Sequence, residues 1–206
     1  MRVVIVSAVI VLLDQFTKLW VKGISIPALN LSIEGMKYGT SRDVLGDFFR
    51  LTYIENPGMA FGIDVGAKPF LAIVSLVASI AIAVYLYRSR NEPLGYRFSL
   101  AMILGGAVGN LIDRLFYGIL FGGAPLFHGR VVDFLDVDFF NIDLWGYHLS
   151  RWPVFNIADA SVTIGVLLLL LLYRGSSPHK ESLPQPEGAA INSEPALPAP
   201  NPPDQV

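Results

Sequence analysis

The sequence predicts an α-helical membrane protein with four transmembrane helices and a small extracytoplasmic β-sheet between the first two. Of the 206 residues, 53% are hydrophobic and only 16% are charged, whereas soluble domains carry about 25% charged residues. Four apolar segments each approach the roughly 20 residues that span the hydrocarbon core of a bilayer. Between the first two segments, a short run alternates apolar and polar residues, which indicates a strand.

Each apolar segment is expected to be a helix, because a backbone in lipid must satisfy its own hydrogen bonds. The segments run from about Val3 to Trp20, Pro69 to Tyr87, Phe98 to Leu115, and Val154 to Tyr173. The first follows Met1-Arg2, as a cleaved signal peptide would. However, Asp14 interrupts it and no small-residue cleavage site follows Trp20, so we predict that it is retained as a helix.

The basic residues predict the orientation in the membrane. They precede the first segment, lie between the second and third, and follow the fourth: Arg2; Arg88, Arg90 and Arg97; Arg174 and Lys180. By the positive-inside rule, both termini and the connection between the second and third helices are cytoplasmic. The other two connections then lie on the extracytoplasmic face.

The connection from Lys22 to Lys68 is expected to hold the sheet, in a β-region of about residues 24–66. Phe49 to Tyr53 supplies the alternating run, and Asn56-Pro57-Gly58 is a turn signal. The transmembrane domain is predicted to cover residues 1–174. Residues 175–206 hold eight of the fourteen prolines and lack apolar periodicity, which predicts a disordered cytoplasmic tail.

Composition also argues against several function classes. A net charge of −2 and the lack of a Lys/Arg cluster give no sign of nucleic-acid binding. The chain has no cysteine, which excludes disulfides, zinc-thiolate sites and a cysteine nucleophile. His128, His148 and His179 lack ligand-like spacing, so we do not expect a histidine metal site.

Asp133 and Asp159 are the most informative polar residues, because a carboxylate beside hydrocarbon is costly and rarely accidental. Asp159 lies six residues after Pro153, about 9 Å along a helix axis, so the two acids can meet at the membrane surface. Two close carboxylates share one proton; the ionised acid can then activate water while the protonated acid polarises a peptide carbonyl. Alternatively, Asp159 caps or hydrogen-bonds within the bundle and Asp133 is a loop acid.

Three further acids follow Asp133 in the same connection: Asp136, Asp138 and Asp143. We interpret them as solvated loop acids. Asp136 is nevertheless the obvious rival to Asp133 as a partner of Asp159.

Two more groups of polar or small residues stand out in the apolar segments. Asp14 and Lys18 are four apart on one helix face, and we favour a structural ion pair over direct substrate contact. Gly105 and Gly109 form a small-residue face that permits close helix packing.

Asn110 and Arg114 also share one face, where Arg114 can donate several hydrogen bonds to substrate carbonyls. Spacing alone leaves open whether these two residues are structural or contact a substrate. Asn56 in the predicted turn can hold an extended peptide, although a turn alone also explains the sequence there.

Five short blocks occur in order along the four apolar segments. They are Asp14-Gln15-x-x-Lys18, Asn56-Pro57-Gly58-x-Ala60-Phe61-Gly62, Gly105-Gly106-Ala107-x-Gly109-Asn110-Leu111-Ile112-Asp113-Arg114, Val131-Val132-Asp133-Phe134, and Phe155-Asn156-x-Ala158-Asp159. Together they closely resemble lipoprotein signal peptidase, the bacterial type II signal peptidase. The resemblance covers about residues 1 to 174, and it is the ordered set that is specific.

The resemblance implies an aspartic endopeptidase, without cofactor or metal, in the bacterial inner membrane. Such enzymes cut the signal peptide from a prolipoprotein just before a cysteine that carries diacylglycerol. The partners implied are this lipidated substrate and the bilayer, with the active site on the extracytoplasmic face. We expect a monomer that binds no nucleic acid.

The resemblance also assigns roles to residues of the matched blocks. Asp133 and Asp159 are then the catalytic dyad. The substrate-binding residues are Asn56, Asn110, Arg114 and Asn156, and the supporting residues are Asp14, Lys18, Asp113, Gly58 and Gly106.

The chain departs from the family pattern in two connections, between Arg114 and Arg130 and from Asp136 to Trp152, which are longer than usual. Two other classes compete with the peptidase. A proton- or cation-coupled transporter would use Asp14, Asp113 and Asp159 as a relay, but Pro69 to Tyr87 carries no charge. A non-catalytic scaffold would leave the acids unexplained.

Overall fold

The computed structural model of the chain describes residues 2–26, 30–58, 68–138, 142–144, 147–149 and 151–173. Its helices in chain order are α1 (Val4–Lys22), α2 (Lys68–Arg88), α3 (Leu94–Ile112), α4 (Gly118–Phe121) and α5 (Ile157–Tyr173). Its strands are β1 (Gly23–Ile26), β2 (Leu31–Glu34), β3 (Ser41–Leu45), β4 (Phe49–Asn56), β5 (Val131–Val137), β6 (Ile142–Leu144) and β7 (Tyr147–Leu149). The predicted tail, residues 175–206, lies outside the described residues.

The helical segments confirm the predicted fold class. Three are long and apolar enough to cross a membrane: α1, α2 and the continuous segment Leu94–Phe121. The third is longer than predicted, because a π-helical turn at Asp113–Tyr117 joins α3 to α4. The fourth, α5, begins at Ile157 and has 17 residues, about 26 Å of helix. It is apolar and packs closely along α3.

Glycines bring α3 into close contact with its neighbours, as the small-residue face predicts. A Cβ atom on Gly105 would lie 2.9 Å from Cβ of Ile10 on α1. A Cβ atom on Gly106 would overlap the carbonyl oxygen of Ala158 on α5. Helix α3 therefore lies between α1 and α5, with its backbone close to both.

Antiparallel strands lie beyond the ends of α1 and α3. Strands β1 and β2 form a hairpin, β3, β4 and β5 form a three-stranded sheet with β4 in the centre, and β6 pairs with β7. Strands β1 to β4 run from Gly23 to Asn56, close to the β-region predicted for about residues 24–66, of which residues 27–29 and 59–66 lie outside the described residues. Beneath the sheet, Tyr53, Val132 and Phe134 form a buried core with Val21 and Tyr117.

Strand β5 rules out the alternative in which Asp133 is a loop acid. Asn56 pairs with Val131, and Ile54 pairs with Asp133. This strand could not be recognised from the sequence. The first four residues of β5 are all buried, so apolar residues do not alternate with polar ones. The sheet, and not a flexible connection, therefore positions Asp133.

Candidate active site

Asp133 lies on the central part of β5 with only 2% of its surface exposed. Its Oδ1 accepts a hydrogen bond of 2.6 Å from Nδ2 of Asn156. Burial, followed by the negative charge of Asp159, raises the pKa of the Asp133 carboxyl to about 7, against the lowering effect of the Asn156 hydrogen bond. Asp133 is thus a carboxyl group that holds its proton near neutral pH.

Asp159 lies in the first turn of α5, where it forms a reciprocal capping interaction with Asn156. The backbone N–H of Asp159 donates to Oδ1 of Asn156 at 2.9 Å, and the backbone N–H of Asn156 donates to Oδ2 of Asp159 at 3.3 Å. The other oxygen, Oδ1, accepts from Nδ2 of Asn110 at 2.7 Å. Asp159 therefore caps the start of α5, which is the alternative role given for it above. It also accepts a hydrogen bond from the side chain of Asn110.

Asn156 joins the two acids. It is fully buried, and besides Asp133 its Nδ2 contacts Oδ1 of Asn110 at 3.1 Å and the carbonyl oxygen of Val132 at 3.3 Å. The side chain of Asn156 thus donates a hydrogen bond to Asp133 and also caps the helix turn that carries Asp159. This arrangement brings the two predicted acids into electrostatic contact, although 26 residues separate them in the sequence.

A buried ion cluster supports both acids from the side of α1. Nζ of Lys18 lies 2.8 Å from a carboxylate oxygen of Asp14 and 2.8 Å from one of Asp113, and all three side chains are fully buried. Nζ of Lys18 also donates to Oδ1 of Asn110 at 2.9 Å. The predicted pair of Asp14 and Lys18 is therefore an ion pair in the structure, extended by Asp113.

Each carboxylate of this cluster holds a backbone N–H next to one acid of the pair. Oδ1 of Asp14 accepts from the N–H of Ala158 at 3.0 Å, one residue before Asp159. Oδ2 of Asp113 accepts from the N–H of Val132 at 3.1 Å, one residue before Asp133. The cluster thereby fixes β5 and the start of α5 relative to each other.

Gln15 is a polar residue to which the sequence analysis assigns no role. Its Nε2 donates to Oδ1 of Asp113 at 2.9 Å and to the carbonyl oxygen of Gly109 at 3.1 Å, and its Oε1 accepts from Tyr117 at 3.1 Å. In the sequence, Gln15 can be recognised as a candidate functional residue because it is a polar residue next to Asp14 in an apolar segment. Gln15 links α1 to the π-helical turn that begins at Asp113.

Arg114 follows Asp113 in this turn, and π-helical turns often mark functional sites. Its Nε is buried and has no hydrogen-bond partner among the described residues. Its guanidinium interacts electrostatically with Asp133 and Asp159. Arg114 thus places a cation with unused N–H groups beside the acid pair.

The predicted Asn-Pro-Gly turn packs against Arg114. The N–H of Gly58 donates to Oδ1 of Asn56 at 2.8 Å, and Gly58 has a positive φ of 88°. A Cβ atom there would lie 3.0 Å from Nη1 of Arg114 and overlap Leu71. Glycine is needed at this position both for its backbone conformation and for the space it leaves.

Asp136 is not the solvated loop acid that the sequence analysis expects. It lies on β5 with 6% of its surface exposed, and its oxygens accept from Thr52 at 2.6 Å and from Arg151 at 2.7 Å. Three residues separate it from Asp133, so strand alternation places the two on opposite faces. Asp138 also pairs with Arg151, at 3.5 Å. The side chain of Asp143 lies outside the described part of the chain.

The described residues contain no group of three or more His, Asp or Glu side chains arranged to hold a metal ion. Instead, the polar side chains form a network of amides, carboxylates and one lysine. The fold and this network define a multi-pass membrane protein with two electrostatically interacting aspartates near one end of its helical bundle, Asp133 buried and Asp159 partly buried.

Comparison with known proteins identifies the family. Residues 6–174 match the family of Signal peptidase (SPase) II, and the chain therefore belongs to this family. It is 32% identical over 167 residues to a lipoprotein signal peptidase of Chlorobium phaeobacteroides (strain DSM 266), covering 81% of this chain and 86% of that protein. It is 35% identical over 226 residues to the lipoprotein signal peptidase of Porphyromonas gingivalis, covering 93% of each chain.

A solved structure is also similar to this chain. It is described as a bacterial membrane enzyme structure obtained by the in meso method at 1.9 Å resolution. It shares a TM-score of 0.64 and 30% sequence identity, covering 85% of this chain and 94% of its own. The family confirms the predicted resemblance and makes the chain a membrane peptidase of the aspartic type that acts on lipoprotein signal peptides, rather than a transporter or a scaffold.

Proposed function

We propose that the chain cleaves diacylglyceryl-modified prolipoproteins just before the lipidated cysteine, with Asp133 and Asp159 as the catalytic dyad. The observation that carries this proposal is the Asn156 side chain, which bonds to Asp133 and caps the turn that bears Asp159. A buried carboxyl with a pKa of about 7 beside a second carboxyl is the arrangement an aspartic peptidase requires.

The raised pKa of Asp133 supports its assignment as the protonated member. In the proposed reaction, Asp159 takes a proton from water, the water oxygen bonds to the scissile carbonyl carbon, and Asp133 donates its proton to the carbonyl oxygen. The tetrahedral intermediate then collapses. Asp159 gives its proton to the leaving nitrogen as the C–N bond breaks, and the hydroxyl proton returns to Asp133.

We assign the remaining residues to binding and support. Asn110 and Asn156 orient the dyad through the hydrogen bonds described above. Arg114 is proposed to donate its unused N–H groups to substrate carbonyls, and Asn56 to bind the extended peptide beside it. Asp14, Lys18, Asp113, Gly58 and Gly106 are the supporting residues.

The proposed topology places the sheet and the dyad on the extracytoplasmic face of the bacterial inner membrane, with both termini in the cytoplasm. Three arginines at the opposite end, in and around the α2–α3 connection, support this orientation: Arg88, Arg90 and Arg97. We propose a monomer whose peptidase domain is residues 1–174, followed by a cytoplasmic tail. The substrate enters laterally from the bilayer.

The lipid dependence of cleavage tests the proposal. Purified protein is expected to cut a diacylglyceryl-modified precursor and to leave the unmodified precursor intact, with the new N-terminus at the lipidated cysteine. The measurement is mass spectrometry of both products, with and without a metal chelator. Equal cleavage of both precursors, or a new N-terminus elsewhere, would contradict the proposed specificity.

The pH dependence of kcat/KM tests the protonation of the dyad. Because Asp133 must carry a proton to act as the donor, and burial raises its pKa to about 7, activity is expected to fall as pH rises through this value. Each further pH unit lowers the rate about tenfold. Asp136→Asn is the control and is expected to keep the same alkaline limb. A rate that stays flat up to about pH 9 would refute the assignment of Asp133 as the proton donor.

A further inference from the structure

A polar cavity of about 360 Å³ lies at the end of the bundle that carries the sheet. It is bounded by Lys22, the last residue of α1, and by Phe121, the last residue of α4. The connection from Gly122 to Arg130 closes one side. Neither acid of the dyad lines the cavity.

The described residues that line the cavity carry a net positive charge. Among them, Lys22, Lys68 and Arg130 occur together with a single carboxylate, Glu55. Glu55 accepts a hydrogen bond from Tyr53 at 2.6 Å and pairs with Lys22. Among the described residues, neither Lys68 nor Arg130 has a hydrogen-bond or close ion-pair partner, although Arg130 interacts with Glu55 at longer range. Within the described part of the chain, two cationic groups are thus left to attract an anion.

An apolar groove of about 270 Å³ adjoins this cavity. Tyr117 and Phe121 line both spaces, and Leu19 and Ile112 lie along the groove. The groove opens to the lipid-facing surface, where Leu120 is 65% exposed. A molecule with an anionic group and a hydrocarbon chain thus finds cationic side chains and an apolar groove on adjoining parts of the surface.

The cavity lies at the depth in the membrane where such a molecule has its anionic group. The first membrane-crossing segment ends at Lys22 and the third ends at Phe121, so the cavity lies where hydrocarbon gives way to headgroups. Lysine and arginine side chains at this level can pair with the phosphate of a lipid headgroup.

We propose that the cavity and the groove together bind an anionic phospholipid. The phosphodiester is held by Lys68 and Arg130, next to the Lys22–Glu55 pair, and an acyl chain lies in the groove. The adjoining apolar groove favours a lipid over an acidic peptide, which has no hydrocarbon chain to place there. The site is independent of the proposed cleavage reaction, so its test needs no activity measurement.

The test compares lipid retention in native mass spectrometry. Full-length protein is released from nanodiscs that contain equal fractions of phosphatidylglycerol and phosphatidylcholine. Wild-type protein is expected to retain phosphatidylglycerol preferentially. The double variant Lys68→Gln/Arg130→Gln is expected to lose this preference by about tenfold, because it removes both cations that pair with the phosphodiester.

Arg42→Gln is the matched control, because Arg42 is an exposed cation on β3 of the same sheet-bearing end but does not line the cavity. It is expected to behave like wild type, and thermal unfolding establishes that each variant is folded. Equal retention of both lipids by wild type, or equal loss in the control and the double variant, would overturn the proposal. Displacement of the lipid by inorganic phosphate or by a soluble Asp/Glu peptide at similar concentration would also overturn it, in favour of that ligand.

Discussion

Replacing either Asp133 or Asp159 with asparagine is expected to lower the cleavage rate by about 10⁴-fold, the upper range for general acid–base catalysis. Asparagine keeps the shape of the side chain but can neither take a proton from water nor donate one as a carboxyl does. Because Asn156 still finds an acceptor at position 133, substrate binding is expected to change little. The measurement is single-turnover cleavage of a lipidated precursor, with KM determined separately.

Two other acids serve as controls for the dyad variants. Asp43 lies on β3, where it pairs with Arg50 at 2.8 Å and is 65% exposed, so Asp43→Asn is expected to cleave normally. Asp136→Asn tests the rival acid. It loses the Arg151 ion pair and some stability, but it is expected to retain most turnover because it lies on the opposite strand face. A rate loss at Asp136 equal to that at Asp133 would refute the dyad assignment.

Lys18→Met is expected to lower the free energy of unfolding by about 3–5 kcal/mol, since it leaves two buried carboxylates without their cation. Asp14 and Asp113 lie 2.8 Å from Nζ of Lys18, and all three side chains are fully buried. The variant is also expected to slow cleavage, because these carboxylates hold the backbone N–H groups next to the dyad. Reversible unfolding in mixed micelles measures the first effect.

Lys37→Met is the matched control, because Lys37 is exposed. The same change there is expected to alter stability by no more than about 0.5 kcal/mol. Adding Asp113→Asn to Lys18→Met should recover part of the lost stability, since it removes one uncompensated buried charge. If the Lys18 and Lys37 variants are equally stable, the ion cluster does not support the fold.

The helices could be predicted because lipid imposes a simple rule on the sequence. Each crossing needs a long apolar run, and the predicted Pro69–Tyr87 corresponds to the helix Lys68–Arg88. The acids were recognisable for the same reason, since a charge near hydrocarbon stands out. Strand β5 gave no such signal, because its residues from Val131 to Phe134 are buried on both faces.

Contacts between residues far apart in the chain could not be predicted from the sequence. Nothing in the spacing of Asp113 and Val132 predicts that one accepts the N–H of the other. The spacing likewise does not predict that Gln15 reaches the carbonyl oxygen of Gly109. Asp136 looked like a solvated acid because Thr52 and Arg151, which occupy its oxygens, come from other parts of the chain.

The sequence by itself determined the membrane class, the four apolar segments and the family, and it singled out the two acids that we propose as the dyad, because each of these rests on local composition or on ordered motifs. Only the tertiary structure decided how the acids meet. Asp133 is set by the pairing of β5 with β4, and Asp159 by the start of α5. Their electrostatic interaction depends on Asn156 and on close helix packing at Gly106, which bring together segments far apart in the chain.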